Sequence, residues 1–404
     1  MAPVATEEKT NGNRVSQLKQ EAQVLFNPFY SPPATDENDG DYAFAQYKPH
    51  FPDVKWAPLE EQKVTERGLF ADPEKKALLS AASKVQHLTP AIGTELVGID
   101  LRQLTPQQKD ELALLVAERS VVFLRDQDIS IRELLELHRH FGPLHKHATT
   151  GVPREPGLEE VHVVYNDASR RPDPSAFSKL DLWHSDVSYE MQPPSTTALK
   201  VITGPPYGGD TLWSSGSVIR YALYSSFSPQ FQKYLESLYA VHSAVAQADG
   251  ARAAGHTVRR EPIESIHPVV RVHPATGWKS VYVNPGFTRR IVGVPKAESD
   301  ALLHLLFHQL SENPDFQVRF HWEPNSIAIW DNRVTTHSAT FDFYPHTRHA
   351  LRATPTGERP ISVADYEQDG KVAKDRQLEI WKQAGINLPD TTNLGKNAPR
   401  GYND

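Results

Sequence analysis

Residues 326–355 read SIAIWDNRVTTHSATFDFYPHTRHALRATP, and this stretch contains two strand-like pieces. The first, SIAIWD, is a short apolar run of the kind that forms a buried strand. The second, RHALRATP, begins at Arg348, and alternate side chains of a strand share one face. Arg348 and Arg352 would therefore point the same way, downstream of His337. Arginines suit the bidentate binding of carboxylate, sulfonate or phosphate, although either one alone is more typical of a surface salt bridge.

A second stretch, LWHSDVSYE at 182–190, places His184 and Asp186 two residues apart in a run that resembles a strand. Side chains at that spacing share a face, with backbones about 6.6 Å apart, which is close enough to hold one small ion. Such a pair alone is typical of a half-exposed strand. With His337 as a third ligand it becomes the two-histidine, one-carboxylate set of iron(II) oxygenases, which leaves coordination positions open. A fold must bring these distant segments together.

The bulk composition indicates a globular protein without a nucleic-acid surface. Of 404 residues, 39% are hydrophobic and 23% charged, and the net charge is −7 with no long basic block. Because cysteine is absent, disulfides, zinc–thiolate sites, iron–sulfur clusters and thiol nucleophiles are excluded. No signal-like segment or apolar run long enough to span a membrane is evident, so we expect a cytoplasmic protein.

Composition also predicts three regions. Residues 1–85 are polar and rich in Pro, Asp and Glu, and are predicted to be a partly disordered N-terminal extension, with 26–56 as an extended arm. Residues 86–362 are predicted to form the folded domain. Residues 363–404 form a polar tail with one short helix near 376–385.

The domain itself shows many short strands and fewer helices. Thr105 followed by Pro106 predicts one helix start, and Ser130 with Glu133 predicts a capping box at a second helix. Helical periodicity recurs at 217–238 and 296–313, while strands are predicted at 93–101, 121–126, 196–203, 267–274, 280–287, 326–331 and 348–355. This mixture favours a mixed α/β fold, with a β-sandwich or small barrel and helices packed outside.

Five motifs occur in the order and spacing of one family. They are WHSD (183–186), GGDTLW (208–213), VNPGFTRRIV (283–292), IAIWDNRVTTH (327–337) and RHALRAT (348–354). Together they resemble the taurine dioxygenase family of 2-oxoglutarate-dependent oxygenases, from about Thr94 to about Pro360. The chain is most similar to the fungal sulfonate dioxygenases, which also carry an N-terminal extension. The resemblance implies a double-stranded β-helix core (a jelly roll, cupin-like) with flanking helices.

The resemblance implies a metal and cosubstrate site. His184, Asp186 and His337 would hold iron(II). Arg348 would bind the distal carboxylate of 2-oxoglutarate, with Thr211 of GGDTLW bonded to the same group.

The substrate side follows from the same resemblance. Arg352 and His147 would face the sulfonate, Phe287 would form an apolar wall, and Tyr189 would lie near the cosubstrate. From the residues alone, His147 could equally be a solvated loop histidine and Tyr189 a core aromatic. Two positions depart from the taurine enzyme: Thr150 replaces a tyrosine and Leu180 an asparagine. These changes argue against taurine itself and favour a longer or less polar alkyl chain.

The implied activity is hydroxylation of an alkyl sulfonate at the carbon next to sulfur, which yields sulfite and an aldehyde with succinate and CO2. The partners would be the sulfonate, 2-oxoglutarate and O2, with no nucleic acid or membrane, while a homo-oligomer stays open. Alkyl sulfate esters or phenoxyacetate-type carboxylates are alternative substrates. A cupin-like binding protein would show a broken triad. A zinc hydrolase would leave Arg348 and Thr211 without an anion and would need a general base that the sequence does not supply.

Overall fold

The structure, a computed structural model, describes residues 40–90, 92–167, 178–216 and 227–376. The first 39 residues of the predicted N-terminal extension, which include the start of the arm, and most of the short C-terminal helix lie outside these ranges. The boundaries of extension, domain and tail therefore stay predictions. No helix in the described ranges is long and apolar enough to cross a bilayer.

The strands, in chain order, are β1 (Pro49–His50), β2 (Lys84–His87), β3 (Thr94–Val97), β4 (Val121–Leu124), β5 (Val152–Pro153), β6 (Val161–Asn166), β7 (Thr196–Thr203), β8 (Thr211–Ser215), β9 (Tyr239–Ser243), β10 (Glu264–Pro268), β11 (Val270–Val272), β12 (Lys279–Val281), β13 (Thr288–Ile291), β14 (Gln317–Phe320), β15 (Ile327–Asp331), β16 (Thr335–Ala339), β17 (Arg348–Ala353) and β18 (Ile361–Ser362). The α-helices are α1 (Lys76–Ala81), α2 (Pro106–Arg119), α3 (Ile131–Arg139), α4 (Pro229–Glu236), α5 (Val245–Ala253), α6 (Lys296–Glu312) and α7 (Val363–Gln368).

A seven-stranded sheet dominates the fold, in the order β2-β3-β4-β15-β7-β17-β6. Its pairs are antiparallel except β3 with β4, so the sheet is mixed. A three-stranded sheet in the order β14-β8-β16 carries the segment that precedes and includes His337. Three smaller sheets have the orders β10-β9-β13, β12-β11-β18 and β1-β5.

The two faces of the large sheet bury different partners. Ile327 and Ile329 of β15 belong to an apolar cluster that includes residues of α2 and α3. Their neighbours Ala328 and Trp330 belong to a second cluster, which includes Trp213 of β8 in the facing sheet. Because side chains alternate along a strand, β15 packs against the helices with one face and against the facing sheet with the other. The fold is thus two facing sheets with helices packed outside.

Both predicted helix starts are confirmed. Thr105 accepts a hydrogen bond from the Gln108 backbone N–H (3.2 Å), and the Gln108 side chain accepts one from the Thr105 N–H (2.9 Å). Ser130 and Glu133 make the same reciprocal pair at the start of α3. These two capping boxes satisfy N–H groups that a helix start leaves unpaired. The predicted strand at 196–203 matches β7, and α6 covers 296–312 of its predicted helix.

The expectation of a strand over 182–190 is wrong. A 3-10 turn at Leu180–Leu182 leads to a single bridge at His184, and residues 186–189 form a turn. Val187 has φ +38°, a left-handed conformation that β-branched residues rarely adopt and that ends an extended run. The segment that carries His184 and Asp186, called the triad turn below, is therefore a strained turn and not a strand.

Other predicted strands are shorter than expected. The run 267–274 divides into β10 and β11, which belong to different sheets. The run 280–287 gives only the end of β12 before a turn in which the Asn284 Oδ1 accepts from the Phe287 N–H (2.9 Å). In 93–101 the strand stops at Val97, because Gly98 follows with φ +81°. Of the predicted helix at 217–238, residues 229–236 form α4 and 217–226 lie outside the described residues.

Candidate active site

Three predicted ligand residues meet in space. One ligand atom each from His184, Asp186 and His337 lies within 4.8 Å of the other two. The Asp186 Oδ1 is 3.4 Å from the His184 Nε2 and 3.7 Å from the His337 Nε2. Asp186 and His337 are buried, whereas the His184 side chain keeps 17% of its surface accessible. The cluster is thus open on one side.

Backbone pairing fixes the two histidines relative to each other. The His184 N–H donates to the His337 carbonyl (3.1 Å), and the His337 N–H donates to the His184 carbonyl (2.8 Å). The bridge joins the triad turn to β16, so the folding of the small sheet assembles two ligands from distant segments.

The surroundings of the two imidazoles suit the binding of a cation. The His184 Nδ1 lies 2.8 Å from the Leu182 carbonyl, which can only accept, so Nδ1 carries a proton, and Nε2 is the ring nitrogen that faces Asp186. Burial, and then the neighbouring His184, lower the pKa of His337 well below its ordinary value, so this ring is neutral. Both ring nitrogens of His337 and the Asp186 Oδ2 are buried without a hydrogen-bond partner among the described residues.

Asn332 fixes the backbone of Asp186, the carboxylate ligand. Its Oδ1 accepts from the Asp186 backbone N–H (2.7 Å), and its Nδ2 donates to the Asp186 carbonyl (3.0 Å). The side chain is fully buried. Sequence reasoning missed this role, although Asn332 lies within the quoted IAIWDNRVTTH motif.

Arg352 lies at the triad itself. Its Nη1 donates to the Asp186 Oδ1, and its guanidinium stacks over the Trp330 ring at 5.3 Å. Burial alone would raise the pKa of Asp186, but the Arg352 charge and the nearby His337 hold it well below its ordinary value. Asp186 is therefore a carboxylate, and Arg352 places a positive charge directly against it.

Arg348 lies on the same face of β17 and touches a different segment. Its Nε donates to the Gly209 carbonyl (2.9 Å) and its Nη2 to the Thr211 Oγ1 (3.3 Å). The Trp322 Nε1 also donates to that hydroxyl oxygen (3.1 Å), so the Thr211 proton is available for another acceptor. Gly209 has φ +67°, and a Cβ there would lie 3.2 Å from the Arg348 Cδ, which explains why a glycine is needed.

Arg348 is buried, with 3% of its surface exposed, and makes no ion pair with any residue that the structure describes. Burial, and then Arg352, lower its pKa to about 10, so the guanidinium still carries its charge near neutral pH. Burying a cation without a counter-ion is costly. The arrangement is that of a binding site for an anionic group.

His147 lies on a loop fixed by a buried arginine. Its Nδ1 accepts backbone N–H groups from Thr149 (3.2 Å) and Thr150 (3.3 Å), which leaves the proton on Nε2. Arg259 donates to the carbonyls of His147 (2.8 Å) and Thr150. Sequence reasoning did not find Arg259, because nothing in RREP marks it as a loop clamp. His147 is a buried histidine and not a solvated one.

An apolar wall adjoins the triad. The Phe287 ring is 6.0 Å from that of His184 and 5.0 Å from that of Tyr189, both in edge contact. The Tyr189 hydroxyl donates to the Gln247 Oε1 (2.7 Å), so Tyr189 supports Phe287 from behind. Leu180, one of the two departures from the taurine enzyme, is half-buried in the preceding 3-10 turn. The other, Thr150, has a buried hydroxyl without a hydrogen-bond partner in the described ranges.

Comparison with known proteins agrees with this geometry. Residues 84–354 match the family model described as taurine catabolism dioxygenase TauD, TfdA family. A Schizosaccharomyces pombe protein named as a candidate alpha-ketoglutarate-dependent sulfonate dioxygenase is 42% identical over 80% of this chain and 82% of its own length. The alpha-ketoglutarate-dependent sulfonate dioxygenase of Saccharomyces cerevisiae is 39% identical over 79% of this chain and 78% of its own.

Solved structures give the same result for the fold. The crystal structure of a taurine dioxygenase from Burkholderia xenovorans is 32% identical, with a TM-score of 0.58 over 70% of this chain and 93% of that chain. The predicted mixed α/β, jelly-roll fold is thereby confirmed. With a family model that spans most of the chain and relatives near 40% identity, this protein belongs to the taurine catabolism dioxygenase TauD, TfdA family.

Proposed function

We propose that the protein is an iron(II)- and 2-oxoglutarate-dependent dioxygenase that hydroxylates an alkyl sulfonate at the carbon next to sulfur. The observation that carries the proposal is the buried Arg348, which has no ion-pair partner in the described chain. It lies on the same strand face as Arg352, which contacts the His-Asp-His cluster. Family membership supports the reaction class, and the names of the two yeast relatives support the substrate class. We also place the enzyme in the cytoplasm.

The metal assignment rests on the donor set. Two imidazoles and one carboxylate form the facial triad of non-haem iron(II) oxygenases. The unpartnered Asp186 Oδ2 and His337 Nε2 are buried polar atoms that a cation would satisfy. His184, Asp186 and His337 would hold the iron, which when bound supplies the O2 activation that 2-oxoglutarate decarboxylation drives.

The cosubstrate assignment rests on Arg348 and Thr211. A guanidinium gives a carboxylate two parallel charge-assisted hydrogen bonds, and the free Thr211 proton adds a third. Their place on the sandwich interior, beside the triad but not bonded to it, suits the distal carboxylate of a five-carbon dicarboxylate. The protein here binds and orients, and it needs no proton-transfer group.

The substrate assignment rests on residues next to the triad. Arg352 and the Nε2–H of His147 are donors for an anionic head group, and Phe287 offers an apolar contact for the adjoining carbon chain. Thr150 and Leu180 in place of a tyrosine and an asparagine favour a longer or less polar chain than that of taurine.

The overall reaction balances with one molecule each of O2, 2-oxoglutarate and sulfonate. One oxygen atom enters succinate, as CO2 leaves, and the other becomes a hydroxyl on the carbon that bears sulfur. The α-hydroxysulfonate then loses its hydroxyl proton and its C–S bond, whose electron pair leaves with sulfur as sulfite. The carbon product is an aldehyde.

The test is an anaerobic titration with iron(II) and 2-oxoglutarate, followed by succinate and sulfite assays with taurine, isethionate and longer alkanesulfonates. We expect sulfite and succinate in equal amounts with at least one sulfonate. His184→Ala, Asp186→Ala and His337→Ala should each lose iron binding, measured by equilibrium titration, while retaining the folded-state circular dichroism. Full turnover by any of these variants would refute the metal assignment. If succinate formed only with sulfate esters or phenoxyacetates, and no sulfonate released sulfite, the substrate class would be one of these instead of the alkyl sulfonates.

A further inference from the structure

One histidine inside the sandwich has no role so far. His162 lies on β6, where Val161, Val163 and Tyr165 pack into the helix-side cluster. Because side chains alternate along a strand, His162 faces the opposite way, into the sandwich interior. On the paired strand β17 it lies directly opposite Arg352. Residues directly opposite in an antiparallel pair have neighbouring side chains on one face. His162 is thus beside the arginine at the triad.

A ring contact links His162 to residues 140–151, the loop that carries His147 and that we call the substrate loop. The His162 and His147 ring centroids are 5.1 Å apart, with the planes tilted by 53°. Arg352, His147 and His162 therefore lie together, and they come from three separate segments: β17, the loop after α3 and β6.

The His162 ring is free to bind a ligand. It makes no hydrogen bond with any residue that the structure describes, and the residue is partly exposed, so a ligand can reach it. Burial, and then Arg352, lower its pKa to about 3, so the ring is neutral at physiological pH. A neutral imidazole has one N–H donor. An unused donor in a buried site indicates a ligand acceptor.

The three groups can be matched to a head group by counting oxygens. Arg352 and the His147 Nε2–H are donors already, and His162 adds a further one. A sulfonate or sulfate has three terminal oxygens in a tetrahedral arrangement, whereas a carboxylate has two in a plane. A carboxylate also has lone pairs for three donors, but its two oxygens lie in one plane, so it fits donors from three separate segments less well than a tetrahedral head group does.

We propose that His162 is a further substrate-binding residue, and that with Arg352 and His147 it makes the pocket select a head group with three terminal oxygens over a carboxylate. This inference rests on the proposed function and names the chemical basis of its selectivity. The shared chemistry is that of an R–SO3 or R–O–SO3 anion, and the carbon chain is not specified by these three residues.

The experiment compares two ligands that differ only in the head group, hexanesulfonate and heptanoate. Their dissociation constants are measured anaerobically from the visible absorption of the enzyme loaded with iron(II) and 2-oxoglutarate. We expect wild type to prefer the sulfonate by about tenfold or more. His162→Phe, which keeps a ring but has no donor, should reduce this ratio to near one. His162→Gln retains an N–H donor and should restore part of it.

Controls separate binding from folding. Val164→Ala changes the next interior position of β6 and should leave the sulfonate-to-carboxylate ratio unchanged. The affinities of His162→Phe for iron(II) and 2-oxoglutarate should equal those of wild type, which reports an intact site. An unchanged sulfonate-to-carboxylate ratio in His162→Phe, or no preference in wild type, overturns the inference. If sulfite is still released from a sulfonate, the proposed function is not affected. Absence of sulfite with every sulfonate overturns both.

Discussion

At the scale of single residues, the two arginines of β17 differ in whether the protein provides a counter-ion. Arg352 is paired with Asp186, whereas Arg348 has hydrogen bonds to a carbonyl and a hydroxyl but no carboxylate in the described chain. The period of two along RHALRAT predicted that they share a face, and the structure agrees. The pairing of Arg352 with Asp186 could not be predicted, since it depends on a turn more than 160 residues away.

Arg348→Ala should therefore affect one ligand selectively. Loss of a buried, charge-assisted contact costs about 2–5 kcal/mol, so the KM for 2-oxoglutarate should rise by roughly 30-fold or more. Iron(II) affinity should change little, because Arg348 does not contact the triad. Steady-state kinetics at varied 2-oxoglutarate and an iron titration provide the two measurements. Arg290→Ala, at an exposed arginine of β13, is the matched control. Equal 2-oxoglutarate KM values in Arg348→Ala and wild type would place the cosubstrate elsewhere.

At the scale of elements, part of the N-terminal segment supports the substrate loop. β1 pairs with β5, which directly follows that loop. The Trp56 N–H donates to the Arg259 carbonyl (2.6 Å), and its ring lies 5.0 Å from the Arg259 guanidinium. Arg259 in turn donates to the His147 carbonyl. Contacts thus run from the arm through one arginine to a predicted substrate contact.

Trp56→Ala should then act on the substrate without affecting the cosubstrate. Removing the ring forfeits a cation–π contact of about 1–2 kcal/mol and loosens Arg259, so the KM for the sulfonate should rise roughly 3- to 10-fold. The 2-oxoglutarate KM should stay constant, because Arg348 and Thr211 lie on other elements. Val54→Ala, at an exposed position two residues away, should behave as wild type. A parallel rise of both KM values would indicate general destabilisation instead of loop positioning.

The elements also show how much of the structure can be predicted from local sequence. Capping boxes at Thr105 and Ser130 are closed within four residues. The sequence predicted the one at Ser130 as a capping box and the position of Thr105 as a helix start. The strand expectation over 182–190 failed because alternation of polar and apolar residues cannot reveal the left-handed backbone of Val187. His162 was overlooked for a similar reason, because a single histidine in a strand indicates a binding site only when its cross-strand neighbour, here Arg352, is known. Local patterns predict elements, while pairing between distant strands builds the site.

At the scale of the whole molecule, a buried ionic network joins distant parts of the chain. Arg333 pairs with Asp331 (2.6 Å), with Glu358 (3.0 Å) and with Glu66, which lies in the N-terminal segment. His273, next to β11, also contacts Asp331 (2.9 Å). Burial would raise the pKa values of Asp331 and Glu358, but Arg333 in particular holds both below their ordinary values. Both groups are therefore ionised in the folded protein.

The depressed pKa values of Asp331 and Glu358 predict how stability depends on pH. Their stabilisation is present above the unfolded pKa values of about 4 and is lost as the pH falls below them, because the unfolded chain then binds protons first. Asp331→Asn should lower the free energy of unfolding at pH 7 by about 3–5 kcal/mol, since Arg333 keeps a buried charge with less compensation. It should also flatten the decline in the free energy of unfolding below about pH 4. Urea unfolding at several pH values measures both effects. Asp300→Asn, which removes an exposed pair with Lys296, should change stability by about 1 kcal/mol or less. If Asp331→Asn matched wild type at pH 7, the network would not hold these segments together, and their packing would depend on apolar contacts alone.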